Sequence, residues 1–246
     1  MKWVAVALTA TLIATTSCGQ NNSLEPPPGN PAATLPSQVL NLHDWTLTTP
    51  IPDPITGALE IYPAQLQEYA SPYLFVNDAK NGVVFRTPAD GAVQTGATAP
   101  RNELRQVKPD GGGAYWGTDT ENILDVTISA DAHATSKMLV LGQVHEIGPY
   151  VLIIQLNDKK LYVKADMPGD DNIATLEENY ELGTIFNYRI ETSNNEIRVF
   201  YNGVLSARLP SECRQCYYKA GSYLQVPPVP GDLSYGQATI YRLEIR

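Results

Sequence analysis

From about residue 40 onward, the chain consists of short segments in which apolar and polar residues alternate, separated by turn sequences. Residues 152–156 and 161–164 flank the turn NDKK, and residues 188–192 and 197–201 flank the turn SNN. Alternation with a period of two buries one face of a strand, and such turns join strands into antiparallel hairpins. The pattern predicts an all-β protein in which two packed antiparallel sheets form a sandwich or β-jelly roll. In such folds one sheet often curves into a concave groove for an extended ligand.

The composition supports this fold class and limits the ligands. The chain of 246 residues has 14 Tyr, 19 Pro and 18 Gly but only 3 Met, which favours strands and turns over helices. One helix is conceivable, near residues 63–69. The formal charge of −9 argues against nucleic acid as a partner, because nucleic-acid binding requires a basic face. A local cluster of Arg and Lys can nevertheless bind an acidic polymer.

The cysteine content argues against a structural metal site. The chain has three Cys and three His, and Cys213 and Cys216 form a lone C-x-x-C with no second pair. A structural zinc site needs four such ligands, so no metal ligand is predicted. In an exported protein these two cysteines form either a local disulfide or a pair of free thiols, and redox chemistry is not expected.

The N-terminus predicts export. Residues 1–18, MKWVAVALTATLIATTSC, contain one Lys, an apolar run too short to span a bilayer, and then small residues, which is typical of a signal peptide. The small residues before Cys18 resemble a bacterial lipoprotein box, in which the Cys is lipidated, although Thr15 stands where Leu is usual. Ordinary secretion is the alternative. Residues 19–38, rich in Pro, Asn and Ser, are predicted to be a linker, and residues 39–246 the folded domain. We expect an exported monomer, at the outer membrane or secreted, that touches a membrane only through a lipid.

The first segment with functional potential is RNELR, at residues 101–105. In a strand, Arg101, Glu103 and Arg105 share one face. Two guanidinium groups about 7 Å apart, with a carboxylate between them to orient them, suit a row of sugar carboxylates. The alternative is a solvated strand face with paired charges.

The second segment is GQVH, at residues 142–145. Gln143 and His145 share one strand face, while Val144 points into the core. An amide beside an imidazole can polarise a carboxyl group and remove a proton. The alternative is a polar pair whose hydrogen bonds are satisfied by neighbouring backbone.

The third segment is YYKAGSYLQ, at residues 217–225. Strand alternation places Lys219, Gly221, Tyr223 and Gln225 on one face. Gly221 is expected to leave room for a ligand to approach the backbone. The alternative is an amphipathic core strand. All three segments place long polar side chains on a strand face, as a polysaccharide groove on a jelly roll requires.

These segments resemble the signature blocks of polysaccharide lyase family 7, the alginate lyases. The family pattern is R-(S/T/N)-E-(L/V)-R, then Q-(I/V)-H, then Y-(F/Y)-K-A-G-x-Y-x-Q, and the three blocks occur here in that order. Residues 40–50, LNLHDWTLTTP, also resemble the family's first strand. The resemblance covers most of residues 40–246. It implies a β-jelly roll that cleaves acidic polysaccharide, chiefly alginate, by β-elimination without a metal or organic cofactor.

The resemblance also implies roles for individual residues. Arg101 and Gln143 would neutralise the substrate carboxylate, which makes the neighbouring C5 proton more acidic. His145 and Tyr223 would act as base and acid. For mannuronate, Tyr223 could do both, because the proton and the leaving group lie on the same side of the sugar. For guluronate they lie on opposite sides, so His145 is the expected base.

Four further residues are implied to bind substrate: Glu103, Arg105, Lys219 and Gln225. Within the family, Val at the middle of Q-x-H tends to accompany a preference for mannuronate, so Val144 favours mannuronate-rich chains weakly. A lyase for another uronic-acid polymer, such as glucuronan, and a noncatalytic uronate-binding lipoprotein remain alternatives. A jelly-roll glycoside hydrolase would carry an E-x-D-x-x-E run, and the sequence contains no Glu-x-Asp.

Overall fold

The computed structural model describes residues 24–166 and 172–246. Fifteen strands and two short helical turns occur within these residues. The strands are β1 (Trp45–Asp53), β2 (Gly57–Ile61), β3 (Leu74–Val76), β4 (Val83–Pro88), β5 (Arg101–Gln106), β6 (Asn122–Ala132), β7 (Met138–His145), β8 (Tyr150–Asn157), β9 (Lys160–Ala165), β10 (Asn172–Glu177), β11 (Ile185–Ser193), β12 (Glu196–Tyr201), β13 (Val204–Pro210), β14 (Tyr217–Tyr223) and β15 (Tyr235–Ile245). A 3-10 turn spans Pro36–Gln38, and the helix considered near residues 63–69 is the single turn α1, Pro63–Leu66.

Two antiparallel sheets pack against each other, as the alternating pattern predicts. Sheet A has the strand order β10-β9-β8-β7-β14-β5-β1-β2, and sheet B has the order β13-β12-β11-β6-β15-β4-β3. The jelly-roll prediction is confirmed. The order also places β14, which comes late in the chain, between β7 and β5 at the centre of sheet A.

The two hairpins read from the sequence are present. Strands β8 and β9 pair through Leu156 and Leu161, and Asp158 in the turn between them has a φ of 55°. Strands β11 and β12 pair through Thr192 and Ile197, and Asn194 in their turn has a φ of 54°. Asn and Asp tolerate this left-handed conformation better than other non-glycine residues, so these turns are locally encoded.

The core lies between the sheets and supports the outer face of sheet A. In β11 the residues Phe186, Tyr188 and Ile190 are fully buried, while the residues between them are half-buried. Burying one such side chain stabilises the fold by about 1.5–3 kcal/mol. The Tyr188 hydroxyl crosses to sheet A and donates a hydrogen bond to the Leu141 carbonyl at 3.1 Å. This contact fastens the middle of β7, one of the strands that carry the polar segments.

The described part of the N-terminal region lies against the domain. The Asn30 amide donates to the Lys80 carbonyl at 2.9 Å, and the Ser37 hydroxyl donates to the Gln67 carbonyl at 2.6 Å. Ala33 is fully buried. Packing contacts thus begin before Val39, where the sequence suggested that the domain starts. The predicted signal peptide and Cys18 lie outside the described residues.

Cys213 and Cys216 form a disulfide, which decides between the two states left open by the sequence. The disulfide closes the segment that leads into β14. The backbone of Cys216 is also bridged to that of Trp116, through hydrogen bonds of 2.9 and 3.1 Å. No helix in the described residues is long and apolar enough to cross a membrane.

Candidate active site

Three neighbouring strands of sheet A bring the three polar segments together. Lys219 of β14 lies opposite Arg105 of β5 on one side and opposite Gln143 of β7 on the other. In the same registers, Tyr223 pairs with Arg101, and Tyr217 pairs with His145. Because alternate side chains point to the same face, these side chains share the outer face of sheet A. The strand order, which the sequence could not supply, assembles the site.

Glu103 occupies the centre of this face and is 2% exposed. Its carboxylate accepts hydrogen bonds from the Arg101 guanidinium at 3.1 Å, from the Lys219 ammonium at 2.9 Å, and from the Gln143 amide. Burial acts to raise the pKa of Glu103, but the adjacent charges of Lys219 and Arg101 hold it below its ordinary value. Glu103 is therefore an ionised, buried anchor for three side chains of the site.

The same environment makes the Lys219 ammonium easier to deprotonate than that of an exposed lysine. Burial lowers its pKa to about 8, while the attraction of Glu103 opposes this shift and the charge of Arg101 adds to it. At pH 7 the ammonium is still the major form. The site thus holds three cations, with Arg105 as the third, against one buried carboxylate, and this excess suits a polyanionic ligand.

His145 is oriented by a backbone carbonyl and an aromatic ring. Its Nδ1 lies 2.6 Å from the Glu146 carbonyl oxygen and 3.1 Å from the Tyr217 hydroxyl, and its ring stacks on the Tyr217 ring at 5.3 Å. A carbonyl only accepts, so Nδ1 carries the proton and Nε2 keeps its lone pair. Burial, reinforced by the charge of Lys219, lowers the pKa of His145. The imidazole is therefore neutral near pH 7 and able to accept a proton.

A cavity of about 350 Å³ lies over these strands. Its floor includes Arg101, Arg105, His145, Tyr217, Lys219 and Tyr223. The Arg101 guanidinium lies 4.1 Å above the ring of Tyr223, which holds the phenol beside the cations. The opposite wall is formed by Glu60 of β2 and by the loop at residues 94–98. The Gln94 amide donates to Glu60 at 2.7 Å.

Some predicted residues lie elsewhere than strand alternation suggested. Glu103 and Gln143 lie beneath the cavity rather than on its lining. Gln225 follows the end of β14, has a φ of 58° and does not line the cavity, so the alternation stops before it. The prediction that Gly221 makes room for a ligand is wrong. A Cβ there would meet the Asn102 carbonyl oxygen at 2.5 Å, so the glycine is required for the contact between β14 and β5.

Two tyrosines of the candidate site were not predicted from the sequence. Tyr217 lines the cavity and contacts His145, and it falls on the same alternation as Lys219 and Tyr223, so the pattern could have identified it. The Tyr115 hydroxyl accepts a hydrogen bond from Arg105. Tyr115 lies in a glycine-rich loop, where no periodicity indicates the direction of a side chain. In the described ranges, no group of three or more His, Cys, Asp or Glu is arranged to hold a metal ion.

The fold and the site define a class of protein: jelly-roll enzymes with a cationic groove for anionic polysaccharide, in which an imidazole and a phenol can move protons. The family model for alginate lyases matches residues 40–246. The chain belongs to this family, polysaccharide lyase family 7, and is therefore a polysaccharide lyase. The substrate of the family is alginate. The resemblance seen in the three sequence blocks is confirmed.

Solved structures agree with this assignment. Alginate lyase AlgAT5 from polysaccharide lyase family 7 is 34% identical, with a TM-score of 0.81 over 87% of this chain and 99% of that chain. The alginate lyase from Corynebacterium sp. is 30% identical, with a TM-score of 0.78 over 87% and 98%. Alginate lyase PA1167 from Pseudomonas aeruginosa is 25% identical, with a TM-score of 0.74 over 83% and 98%. No curated protein is significantly similar to this chain.

Proposed function

We propose that the protein cleaves alginate by β-elimination and leaves a C4–C5 double bond at the new non-reducing end. The observation that carries this proposal is the placement of a neutral imidazole, His145, and a phenol, Tyr223, in one groove beside Arg101 and Lys219. Elimination requires that combination: positive charge for the sugar carboxylate, a base for the C5 proton and an acid for the leaving oxygen.

The first requirement is neutralisation of the carboxylate next to C5. Arg101 lines the cavity, and only part of its charge is compensated by Glu103, which it shares with Lys219. Gln143 lies beneath the cavity and donates an amide N–H to Glu103, so it helps to fix the carboxylate that positions Arg101 and Lys219. Arg101 and Lys219 stabilise the carbanion that forms when C5 loses its proton. Because Glu103 fixes them in advance, they need little reorganisation during the reaction.

The second requirement is the transfer of two protons. The base takes the C5 proton, the electron pair of the C5–H bond becomes the C4–C5 double bond, and the C4–O bond breaks as the acid protonates the leaving oxygen. In guluronate, His145 Nε2 takes the C5 proton and the Tyr223 hydroxyl protonates the leaving oxygen. In mannuronate the C5 proton and the leaving oxygen lie on the same side of the sugar, so Tyr223 serves as both base and acid. The ordering of His145 by Glu146 and Tyr217 supports its role as base.

The finer specificity is a preference for mannuronate-rich chains. It rests on Val144 in the Q-x-H block, which is fully buried and cannot touch a sugar. Any effect of Val144 must act through the positions of its neighbours Gln143 and His145. This part of the proposal is therefore tested by relative rates rather than by geometry.

We also propose that the protein is exported and anchored to the outer membrane through a lipid on Cys18. The support is the sequence of residues 1–18. Incorporation of labelled palmitate into the wild type, and its loss in Cys18→Ala, would establish the anchor. Release of unlabelled wild-type protein into the medium would instead indicate ordinary secretion.

The test of the activity is the ultraviolet absorbance of the C4–C5 double bond, which only a lyase creates. The purified protein is mixed separately with alginate, polymannuronate, polyguluronate and glucuronan. We expect absorbance to grow on alginate, and faster on polymannuronate than on polyguluronate. Growth on glucuronan alone would keep the mechanism and change the substrate. No growth on any polymer, with alginate binding retained, would contradict the catalytic proposal.

A further inference from the structure

We propose that Tyr115, together with Arg105 and Tyr217, forms an additional uronate-binding subsite beside His145. It would hold the neighbour of the reacting sugar on the side away from the C4–O bond that breaks, so the shortest cleavable chains do not reach it. This inference rests on the proposed function, because it assigns a further part of the same polymer to the groove. Tyr115 lies in the loop between β5 and β6 and falls outside the three sequence blocks.

The three side chains form one connected surface. The Arg105 Nη2 donates a hydrogen bond to the Tyr115 hydroxyl at 3.1 Å, and its Cζ lies 4.3 Å above the ring of Tyr217. The rings of Tyr115 and Tyr217 meet edge to face, with centroids 6.0 Å apart. On its other side, Tyr217 stacks on His145. The surface thus begins where the proposed base lies and extends the groove beyond it.

The charge of Arg105 is what makes this surface suited to a uronate. Arg101 and Lys219 both pair with Glu103, whereas Arg105 has no carboxylate partner within the described residues. Its Nε is buried without a hydrogen-bond acceptor. A guanidinium in this state can form a two-point contact with a carboxylate at low desolvation cost, because it is already partly removed from water.

Tyr115 supplies the apolar half of the subsite. It is 43% exposed, so its ring is available to the hydrophobic face of a sugar while its hydroxyl is held by Arg105. An aromatic ring with a polar tip is well suited to a ligand that has both C–H faces and charged groups.

The loop holds Tyr115 in place before substrate arrives. The neighbouring Trp116 donates its indole N–H to Gln106 at 2.9 Å and pairs through its backbone with Cys216, next to the disulfide. Gly113 is required for this arrangement, because a Cβ there would collide with the Tyr115 ring. A preordered side chain pays less conformational entropy on binding, so it can contribute more to affinity.

The experiment compares Tyr115→Ala and Tyr115→Phe with the wild type on oligouronates of increasing length. We expect Tyr115→Ala to raise KM about three- to tenfold on long chains, with kcat within about twofold, because a lost stacking contact weakens binding without touching the chemistry. On the shortest cleavable chains, which do not reach the subsite, KM should not change. Tyr115→Phe keeps the ring and should lie between Tyr115→Ala and the wild type.

Tyr235→Ala is the matched control. Tyr235 is 38% exposed and also lies against a guanidinium, with the Cζ of Arg86 4.7 Å from its ring, but it belongs to sheet B. We expect its KM to match the wild type at every chain length. A Tyr115→Ala variant with the wild-type KM on all lengths, or one that loses kcat at unchanged KM, would overturn the subsite.

Binding measured in the Tyr223→Phe background separates this inference from the proposed function. If the wild type cleaves alginate but Tyr223→Phe and Tyr115→Ala/Tyr223→Phe bind polymannuronate equally, the subsite fails and the activity stands. If the wild type shows no lyase activity but the double variant binds more weakly, the proposed function fails and the subsite stands.

Discussion

The Lys219 ammonium lies 2.9 Å from the Glu103 carboxylate, although 116 residues separate them in the chain and both side chains are almost fully buried. The same carboxylate oxygen also accepts from Arg101. This pairing joins the first and third polar segments at the bottom of the groove. Substrate can meet Arg101 and Lys219 in fixed positions because Glu103 compensates part of their charge.

Removal of this anchor should destabilise the protein. We expect Glu103→Ala to lower the free energy of unfolding by about 3–5 kcal/mol at pH 6–7, because two buried cations lose their partner. Burial already lowers the pKa of Lys219 to about 8, and without Glu103 it should fall further. The deficit should therefore shrink as the pH rises from the lower Lys219 pKa of the variant to about 8, because over that range the folded variant releases a proton that the folded wild type keeps. Above about 8 both proteins gain stability alike, so the deficit should level off. Urea unfolding at several pH values measures both effects.

Glu196→Ala is the control for this prediction. Glu196 pairs with Arg208 at 2.8 Å, but its side chain is 37% exposed and that of Arg208 is 57% exposed. The loss of such a surface pair should cost less than about 1 kcal/mol. A Glu103 variant as stable as the Glu196 variant would show that the buried network does not support the fold.

Tyr223→Phe should abolish turnover and retain binding. The phenyl ring keeps the contact with Arg101, at present 4.1 Å from the ring, and loses only the hydroxyl. Loss of a general acid or base lowers kcat by about 10²–10⁴-fold. We expect polymer affinity within about threefold of the wild type. Initial rates of double-bond formation and binding isotherms provide the test, with Tyr235→Phe as control, and wild-type turnover in Tyr223→Phe would rule out its proposed role.

The pH dependence should report His145. Its pKa is lowered from 6.5 by burial and by Lys219, so the neutral base persists to a more acidic pH than in a free histidine. On polyguluronate, the acid limb of kcat/KM should therefore have its midpoint below pH 6.5. Unfolding should also become easier as the pH falls below that value, because the unfolded chain takes up the proton first. A limb at or above 6.5 would contradict the assignment of His145 as base.

Gly221→Ala should disrupt the site through the backbone. Gly221 has a φ of 144°, and a Cβ there would lie 2.5 Å from the Asn102 carbonyl oxygen and 2.9 Å from the Glu103 Cα. We expect a loss of about 3 kcal/mol in stability and a large loss of kcat, because β14 must move away from β5. Thermal unfolding and initial rates measure these losses.

Gly203→Ala tests whether a positive φ alone, without a close contact, would cause the losses expected for Gly221→Ala. Gly203 has a φ of 79°, with nothing within 4 Å of the added Cβ, so we expect a cost of about 1 kcal/mol and unchanged turnover. Equal losses in both variants would mean that the contact between β14 and β5 is not the reason for Gly221.

Local patterns were sufficient to predict the fold class and most of the groove. Hairpins and strand faces depend on neighbouring residues: the turn at Asp158 and the alternation through Arg101, Glu103 and Arg105 are encoded within a few positions. Alternation failed where the strand ended, so Gln225 was placed on a face that stops at Tyr223. Gly221 was misread because the backbone that approaches it comes from another strand.

The sequence by itself determined that this is a jelly roll with cationic, amide, imidazole and phenol side chains on strand faces, because a period of two and the family's sequence blocks are properties of contiguous residues. Only the tertiary structure decided which groups meet. The order β7-β14-β5 brings the Gln143 amide and the Lys219 ammonium to the Glu103 carboxylate, and a loop brings Tyr115 to Arg105. Strand order and loop position are set by the burial of the whole core, and no local pattern contains that information.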